Sequence, residues 1–268
     1  MDLFDLHEEV AVAIGAGGVL AGAMAEGFAE AGAKVAVVDL RPEAAEACAR
    51  RITQKGGVAR AFAANAMEKE SLEQARKAIV AALGEPTILL NAAGGNDPKV
   101  TVTPENPFEN LPIENWRRNF DLNLVAGALF PCQVFGPGMV ARKHGSIINI
   151  ASVSAHIPLS RVVSYSASKA AVLNLTRFLA REWAPYNVRV NSITPGFFPA
   201  DQNRKLLFND DGTPTERTQQ IWGHTPMHRF GEAHELVGAA IFLASSKASS
   251  FVTGADLRVD GGFLCQTI

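Results

Sequence analysis

The chain has 268 residues, 47% of them hydrophobic and 19% charged, with a formal net charge of −2. It is long enough to bury a sizeable core, and too nearly neutral for a surface that grips nucleic acid. Its three cysteines, Cys48, Cys132 and Cys265, are far apart, form no metal or redox motif, and fit reduced thiols in a cytosolic protein. Residues 10–25 carry no charge, but they are glycine-rich, preceded by acids (Asp5, Glu8, Glu9) and shorter than a bilayer span. They read as a buried strand, a turn and the start of a helix, with no membrane role.

In chain order, Val10–Ile14 is a short apolar run that stops at Gly15-Ala16-Gly17-Gly18, and a helical pattern follows over 20–31. A second apolar run, Lys34–Asp39, ends in an acid. Strand, glycine turn, helix, strand and acid in this order form the dinucleotide-binding arrangement. The glycines let backbone approach a pyrophosphate, which rests on the N–H groups at the helix start. Asp39 is placed to bond the adenosine ribose hydroxyls and to repel a 2′-phosphate, which favours NAD over NADP; Arg41 reads as a solvated residue opening the next helix.

Alternation then continues: helix 41–55, strand 58–63, helix 68–83, strand 87–91, and a polar, proline-rich loop to 112. A long helix over 114–140 is expected to bend near Pro131 and Pro137. Strand 146–151 leads to Ser152. A helix carrying Tyr165 and Lys169 runs to Trp183, and strand 188–193 follows. After Pro195-Gly196 the polar stretch 197–230 reads as a lid over a site. Helix 232–244 and a strand at 256–259 complete the chain. The pattern predicts a single-domain, α/β, Rossmann-like doubly wound parallel sheet of about seven strands over 1–268, with helices on both faces.

Tyr165 and Lys169 are four residues apart, on one helix face. A free tyrosine has a pKa of about 10. A lysine beside it is expected to favour the phenolate and lower that value, so that the pair exchanges a proton with an alcohol or ketone. Ser152 ends a buried strand where an open α/β sheet puts its ligands. No His/Asp/Glu grouping has metal-ligand spacing, so no catalytic metal is expected. Met24, Phe28, Leu175 and Phe178 read as core, and Trp116 and Trp183 as packing anchors.

With Gly15-Ala16-Gly17-Gly18, Asn91-Ala92-Ala93-Gly94, Asn123, Ser152, Tyr165, Lys169 and Pro195-Gly196 in this order, the chain resembles the short-chain dehydrogenase/reductase family over nearly its whole length. The resemblance implies catalysis by Asn123, Ser152, Tyr165 and Lys169, with Asn123 holding a water that links Lys169 to solvent. It implies NAD bound by Gly15, Gly17, Gly18, Val19, Leu20, Asp39, Leu40, Asn65, Ala66, Asn91–Gly94, Tyr165, Lys169, Pro195, Gly196 and Phe198. It also implies a homotetramer, or a homodimer. The family's TGxxxGxG turn is altered here by Ile14, Val19 and Ala21, while Asn65 and Ala200 replace an adenine-contacting aspartate and a lid threonine.

The strings Gly94-Gly95-Asn96, Pro195-Gly196-Phe197-Phe198, Gln202 to Phe208, His224-Thr225-Pro226-Met227 and Ser249 to Gly254 are similar to the D-mannonate oxidoreductase (fructuronate reductase) subgroup. A sugar acid needs cations and hydroxyl partners. Asn96, Ser152, Ser154, His156, Arg161 and Arg204 are the candidates; the alternative for each arginine is a subunit contact or a solvated charge. His224 and His228 fit lid positions or structural hydrogen bonds. Alternatives to a sugar acid are another polyol or a hydrophobic alcohol, and, in a different class, a nucleotide-binding regulator without turnover.

Overall fold

The structure, a computed structural model, describes residues 3–200 and 204–267. Seven strands, β1 (Val10–Ile14), β2 (Lys34–Asp39), β3 (Val58–Ala63), β4 (Ile88–Asn91), β5 (Gly145–Ile150), β6 (Val188–Pro195) and β7 (Asp256–Val259), make one sheet in the order β3-β2-β1-β4-β5-β6-β7. Every pair is parallel, with Val12 opposite Ala36 and Leu89, and Asn91 opposite Asn149. The order reverses between β1 and β4, which opens a crevice at the carboxyl ends of those strands. The doubly wound α/β sheet is thus as expected. β6 runs two residues past the expected strand, through Pro195, because Thr194 and Pro195 pair with Arg258 and Val259.

The central strands are buried on both faces and read as unbroken apolar runs. Helices α1 (Val19–Glu30), α2 (Pro42–Gln54) and α9 (Val237–Ala244) cover one face, where Met24, Phe28, Cys48, Ile52 and Leu243 pack together. Helices α3 (Lys69–Leu83), α5 (Phe130–Arg142) and α6 (Val163–Trp183) cover the other, with Leu72, Ile79, Phe135, Met139 and Leu179. Trp183 anchors this layer: a methyl group on Gly136 would come within 2.4 Å of its ring. Leu175 packs here too, but Phe178 does not; its side of α6 faces outward and it is 54% exposed.

The expected long helix is three windings joined end to end: α4 (Ile113–Asp121), a π-helical stretch Leu122–Leu129, and α5. The deviation lies in the eight residues before Pro131, where an i→i+5 ladder replaces the α ladder. The stretch Ile113–Arg142 is apolar and long enough to cross a bilayer by length and composition, yet half of its apolar window is buried within the fold, as in a core helix. Between β6 and β7 lie α7 (Arg204–Leu207) and α8 (Glu216–His224), which close a small cluster of Leu207, Ile221 and Phe230. Gln202 and Asn203 of the lid string lie outside the described residues.

Candidate active site

The turn between β1 and α1 is braced by Asp39. Its Oδ2 accepts the Gly17 N–H at 3.0 Å, and its Oδ1 accepts the Arg41 N–H at 3.0 Å and Arg41 Nε at 3.4 Å. Asp39 is 8% exposed. A methyl group at Gly17 would sit 2.7 Å from Asp39 Oδ2, so only glycine allows this approach. Gly18 caps α1 without any side-chain bond, so the first-turn N–H groups at Val19 and Leu20 stay available to an anion. Val19 (44%) and Leu40 (67%) are exposed apolar residues on either side of the cradle. These features suit a dinucleotide: a turn with no side chain in the way, an uncapped helix start, and an acid where a ribose would lie. Ile14 and Ala21, which depart from the usual turn, are buried in the core, and Leu20 and Ala92 pack against that cluster.

Several expected contact residues point elsewhere. The Asn65 side chain is held in its own turn, with Nδ2 donating to Glu68 at 2.8 Å and Oδ1 accepting the Met67 N–H at 3.1 Å. Asn91 is 1% exposed and donates to Asn149 Oδ1 at 2.8 Å across the β4–β5 pair, so its side chain knits the sheet. Ala66 and Ala93 pack against the second core face, and Phe198 is buried in the first. Pro195-Gly196 is held in line by the Gly196 N–H donating to Val259 O at 2.9 Å.

Ser152, Tyr165 and Lys169 meet beyond the carboxyl end of β5. Ser152 Oγ accepts from the Ser154 N–H at 3.2 Å and the Ser154 hydroxyl at 3.1 Å, and its hydroxyl lies close enough to the Tyr165 phenol to favour the phenolate. Lys169 Nζ lies 5.6 Å from the Tyr165 ring centroid and donates to Ile150 O at 2.8 Å. The expected lowering of the tyrosine pKa is not found. Burial pushes the phenol above its ordinary value, and the nearby Ser152 hydroxyl only partly offsets that. Burial also pushes the Lys169 ammonium down to about 8, which weakens the cation that was to stabilise a phenolate. At neutral pH this is a phenol that keeps its proton, with a serine hydroxyl beside it.

Asn123, at the start of the π-helical stretch, is fully buried. Its Oδ1 accepts the Gly95 N–H at 2.9 Å, and its Nδ2 donates to Gly95 O and Asn119 O, both at 2.8 Å. Its side chain therefore clamps the loop after β4, with both Nδ2 hydrogens used and one lone pair of Oδ1 left over. Gly94 sits in this clamp at φ +149, and a methyl group there would meet Asn123 Oδ1 at 2.5 Å.

Of the expected substrate residues, Ser154 is buried against Ser152, and Asn96 Nδ2 donates to Thr101 Oγ1 at 2.7 Å. His156 turns away: its Nε2 lies 3.1 Å from Asp256 Oδ2 and 3.3 Å from Thr194 Oγ1, which ties the Ser152 loop to β6 and β7. Arg204 lies over the Phe208 ring at 5.6 Å. Arg161 is exposed at the end of the loop, at φ +75. His228 Nδ1 lies 3.0 Å from Trp222 O, and His224 packs edge-on to Phe263, so both histidines have structural partners. Arg217 escaped sequence reasoning. It belongs to no motif, and its half-buried place on α8 emerges only from the fold.

A family model described as enoyl-(acyl carrier protein) reductase matches residues 15–264. A crystal structure of a protein provisionally assigned as a D-mannonate oxidoreductase from Haemophilus influenza, with bound NAD, is 39% identical, covers 98% of this chain and 97% of its own, and superposes with a TM-score of 0.92. A gluconate 5-dehydrogenase from Burkholderia cenocepacia, in complex with NADP and tartrate, is 33% identical over 99% of both chains, with a TM-score of 0.89. The 5-keto-D-gluconate 5-reductase of Escherichia coli is 34% identical over 98% of both chains. With that coverage, and with its nucleotide cradle and Ser152–Tyr165 pair at one end of a seven-stranded parallel sheet, this chain belongs to the short-chain dehydrogenase/reductase family and is an NAD(P)-dependent oxidoreductase of alcohol and ketone groups.

Proposed function

We propose that the protein interconverts a keto-sugar acid and its hydroxy acid with NAD(H), with D-fructuronate and D-mannonate as the preferred pair. The observation that carries the chemistry is Lys169 Nζ at 5.6 Å from the Tyr165 ring centroid, with the Ser152 hydroxyl beside the phenol. The substrate class is supported by the sugar-acid relatives and by the loop and lid strings those residues sit among. When bound, the nicotinamide supplies a hydride to, or takes one from, the carbinol carbon. In reduction, Tyr165 Oη gives its proton to the carbonyl oxygen as that oxygen gains charge, in keeping with a phenol raised above its ordinary pKa. Ser152 Oγ bonds the same oxygen and fixes its place, itself held by Ser154. Lys169, anchored on Ile150 O, keeps a cation beneath the phenol. Asn123 holds the Gly94-Gly95 backbone that floors the site.

Asp39 supports NAD over NADP, since its carboxylate would face a 2′-phosphate across a short gap, and the Arg41 side chain that could offset it is largely exposed. A single domain, a cytoplasmic location and a homotetramer complete the reading; Phe178, exposed on α6, supports the last, and light scattering that returns a monomer would remove it. The deciding assay is NADH oxidation with D-fructuronate beside 5-keto-D-gluconate and uncharged ketoses, repeated with NADPH. Fast turnover of fructuronate with NADH supports the reading. Activity confined to 5-ketogluconate moves the substrate to the gluconate series. NADH binding without any turnover favours a regulator.

A further inference from the structure

Ser152 caps a single 3-10 turn, Val153–Ala155, that is tied to the sheet at both ends. Upstream, the Ala151 N–H donates to Ile193 O on β6 at 2.8 Å. Within the turn, Ser152 O accepts the Ala155 N–H at 2.9 Å, and Val153 O accepts the His156 N–H at 3.1 Å. Downstream, the hold is a side chain: His156 Nε2 lies 3.1 Å from Asp256 Oδ2 on β7 and 3.3 Å from Thr194 Oγ1 on β6. A carboxylate only accepts, so Nε2 carries the hydrogen. Asp256 is itself fixed, because its Oδ1 accepts the Ser192 hydroxyl at 2.6 Å and the Thr194 hydroxyl at 2.8 Å. The His156 and Asp256 side chains are only 16% and 11% exposed, and Asp256 has no lysine or arginine partner among the described residues. Past His156, the next hydrogen bond from this connection to another segment, among the described residues, is Arg161 O accepting the Val102 N–H at 2.8 Å.

We propose that His156 and Asp256 are positioning residues for the reaction: from the last strand of the sheet, they set where Ser152 Oγ stands against the substrate oxygen. The two anchors fall on consecutive residues of β6, Ile193 and Thr194, with Asp256 beside the second. Residues 151–156 therefore close onto one place on the sheet, and have little freedom while both anchors hold. Ser152 Oγ is aimed from inside the same turn by the Ser154 N–H, so the turn and the hydroxyl move together. A charge-assisted bond is stronger than a neutral one, which suits a carboxylate to the anchoring point. Releasing the imidazole frees the downstream end alone. Tyr165 and Lys169 stand on α6, outside the turn, so the loss falls on the serine. A misplacement of about 1 Å is enough to slow a reaction by about 10²-fold. This rests on the oxidoreductase chemistry of the site and not on the sugar-acid reading.

The test uses the full chain as wild type, His156→Leu, His156→Gln, Ser152→Ala and the double variant H156L/S152A, each first checked for NADH binding. Turnover is followed as NADH oxidation with D-fructuronate and with 5-keto-D-gluconate. His156→Leu should lower kcat by about 10–100-fold with KM within about threefold of wild type. His156→Gln, whose amide Nε2 can donate to Asp256, should recover most of that loss. In the S152A background the same leucine change should cost less than about twofold, because the group it positions is gone. An equal loss in both backgrounds overturns the proposal, since the fault then does not pass through Ser152; so does a leucine variant with wild-type kcat. If neither keto acid is turned over, the sugar-acid reading falls and amide hydrogen exchange decides. The amides of Ala155 and His156 should then exchange at least about tenfold faster in His156→Leu and near the wild-type rate in His156→Gln. Unchanged exchange at those two amides overturns the proposal. Should the leucine variant fail to bind NADH, His156→Ala, which puts less bulk in the same space, replaces it in every arm.

Discussion

The two ends of the sheet treat buried polar groups in opposite ways. At the amino end, charges are answered within the protein. His144 Nε2 lies 3.1 and 3.0 Å from the two oxygens of Glu9, and the 7%-exposed Arg189 donates to Leu243 O, Ala244 O and Ser249 Oγ. Arg142 joins Glu85 and Pro86 O nearby. At the carboxyl end, Lys169 is buried on one carbonyl with no acid partner among the described residues, and Tyr165 is raised by burial. A saturated end serves the fold. An undersaturated end keeps unspent capacity for a ligand, and the fold carries the cost.

The sharpest way to break the contrast is Tyr165→Phe. Losing a positioned proton donor should lower turnover by about 10²–10⁴-fold while NADH binding, followed by fluorescence, stays within about twofold. A mutant that kept more than about a tenth of the wild-type rate would remove Tyr165 from the chemistry. Lys169→Met tests the claim of cost: activity should fall steeply, yet the melting temperature should hold or rise, because a desolvated charge is replaced by an apolar chain of similar length. Marked destabilisation would mean the lysine serves the fold after all.

Arg189→Met should do the reverse. It strands carbonyls of α9 and should cost about 1–3 kcal/mol in denaturant melts, with kcat little changed. The smallest expected effect is in pH. The hydrogen bond to Glu9 raises the His144 pKa above 6.5, so its contribution is full below about pH 6.5 and is lost as pH rises through the raised value. Burial acts against Glu9, but its bonds from His144 and Thr87 hold its pKa below 4.5, so that part is lost only as pH falls below about 4.5. His144→Gln should flatten the upper limb of a stability–pH curve by about 0.5–1 kcal/mol; an unchanged curve would show that the pair is idle.

The strand–turn–helix–strand opening and the Tyr165–Lys169 helix were legible because hydrophobic period and residue spacing encode them directly. The brace from Asp39 to Gly17 follows from that same order. Spacing put Lys169 near Tyr165, but the protonation of the pair depends on how far water is excluded, which no linear pattern carries. Phe178 has a core-like period on α6, and only the packed neighbours show that its side faces out. The asparagines show a related limit: Asn65, Asn91 and Asn123 stand at positions where a ligand contact is expected, and the bonds their amides make to nearby protein are set by the fold and not by spacing. Residues 122–129 read as helix by composition, and nothing in Leu-Asn-Leu-Val-Ala-Gly-Ala-Leu distinguishes a wider winding.

That wider winding constrains how the chain can change length. A π-helical stretch accommodates one residue more than the α ladder around it. Its far end packs Phe135 and Met139 into the core, and its near end sets Asn123 on Gly95 while Trp116 O accepts the Ser164 hydroxyl at 3.2 Å. Winding the same number of residues as a plain α-helix would turn one end against the other by about 100°. The two sets of contacts would then compete. Lineages descending from this sequence should therefore keep Asn123 and Gly127 with this length, or lose one residue and wind as a plain α-helix, and a single-codon insertion there should be purged far more strongly than a conservative exchange elsewhere in the stretch.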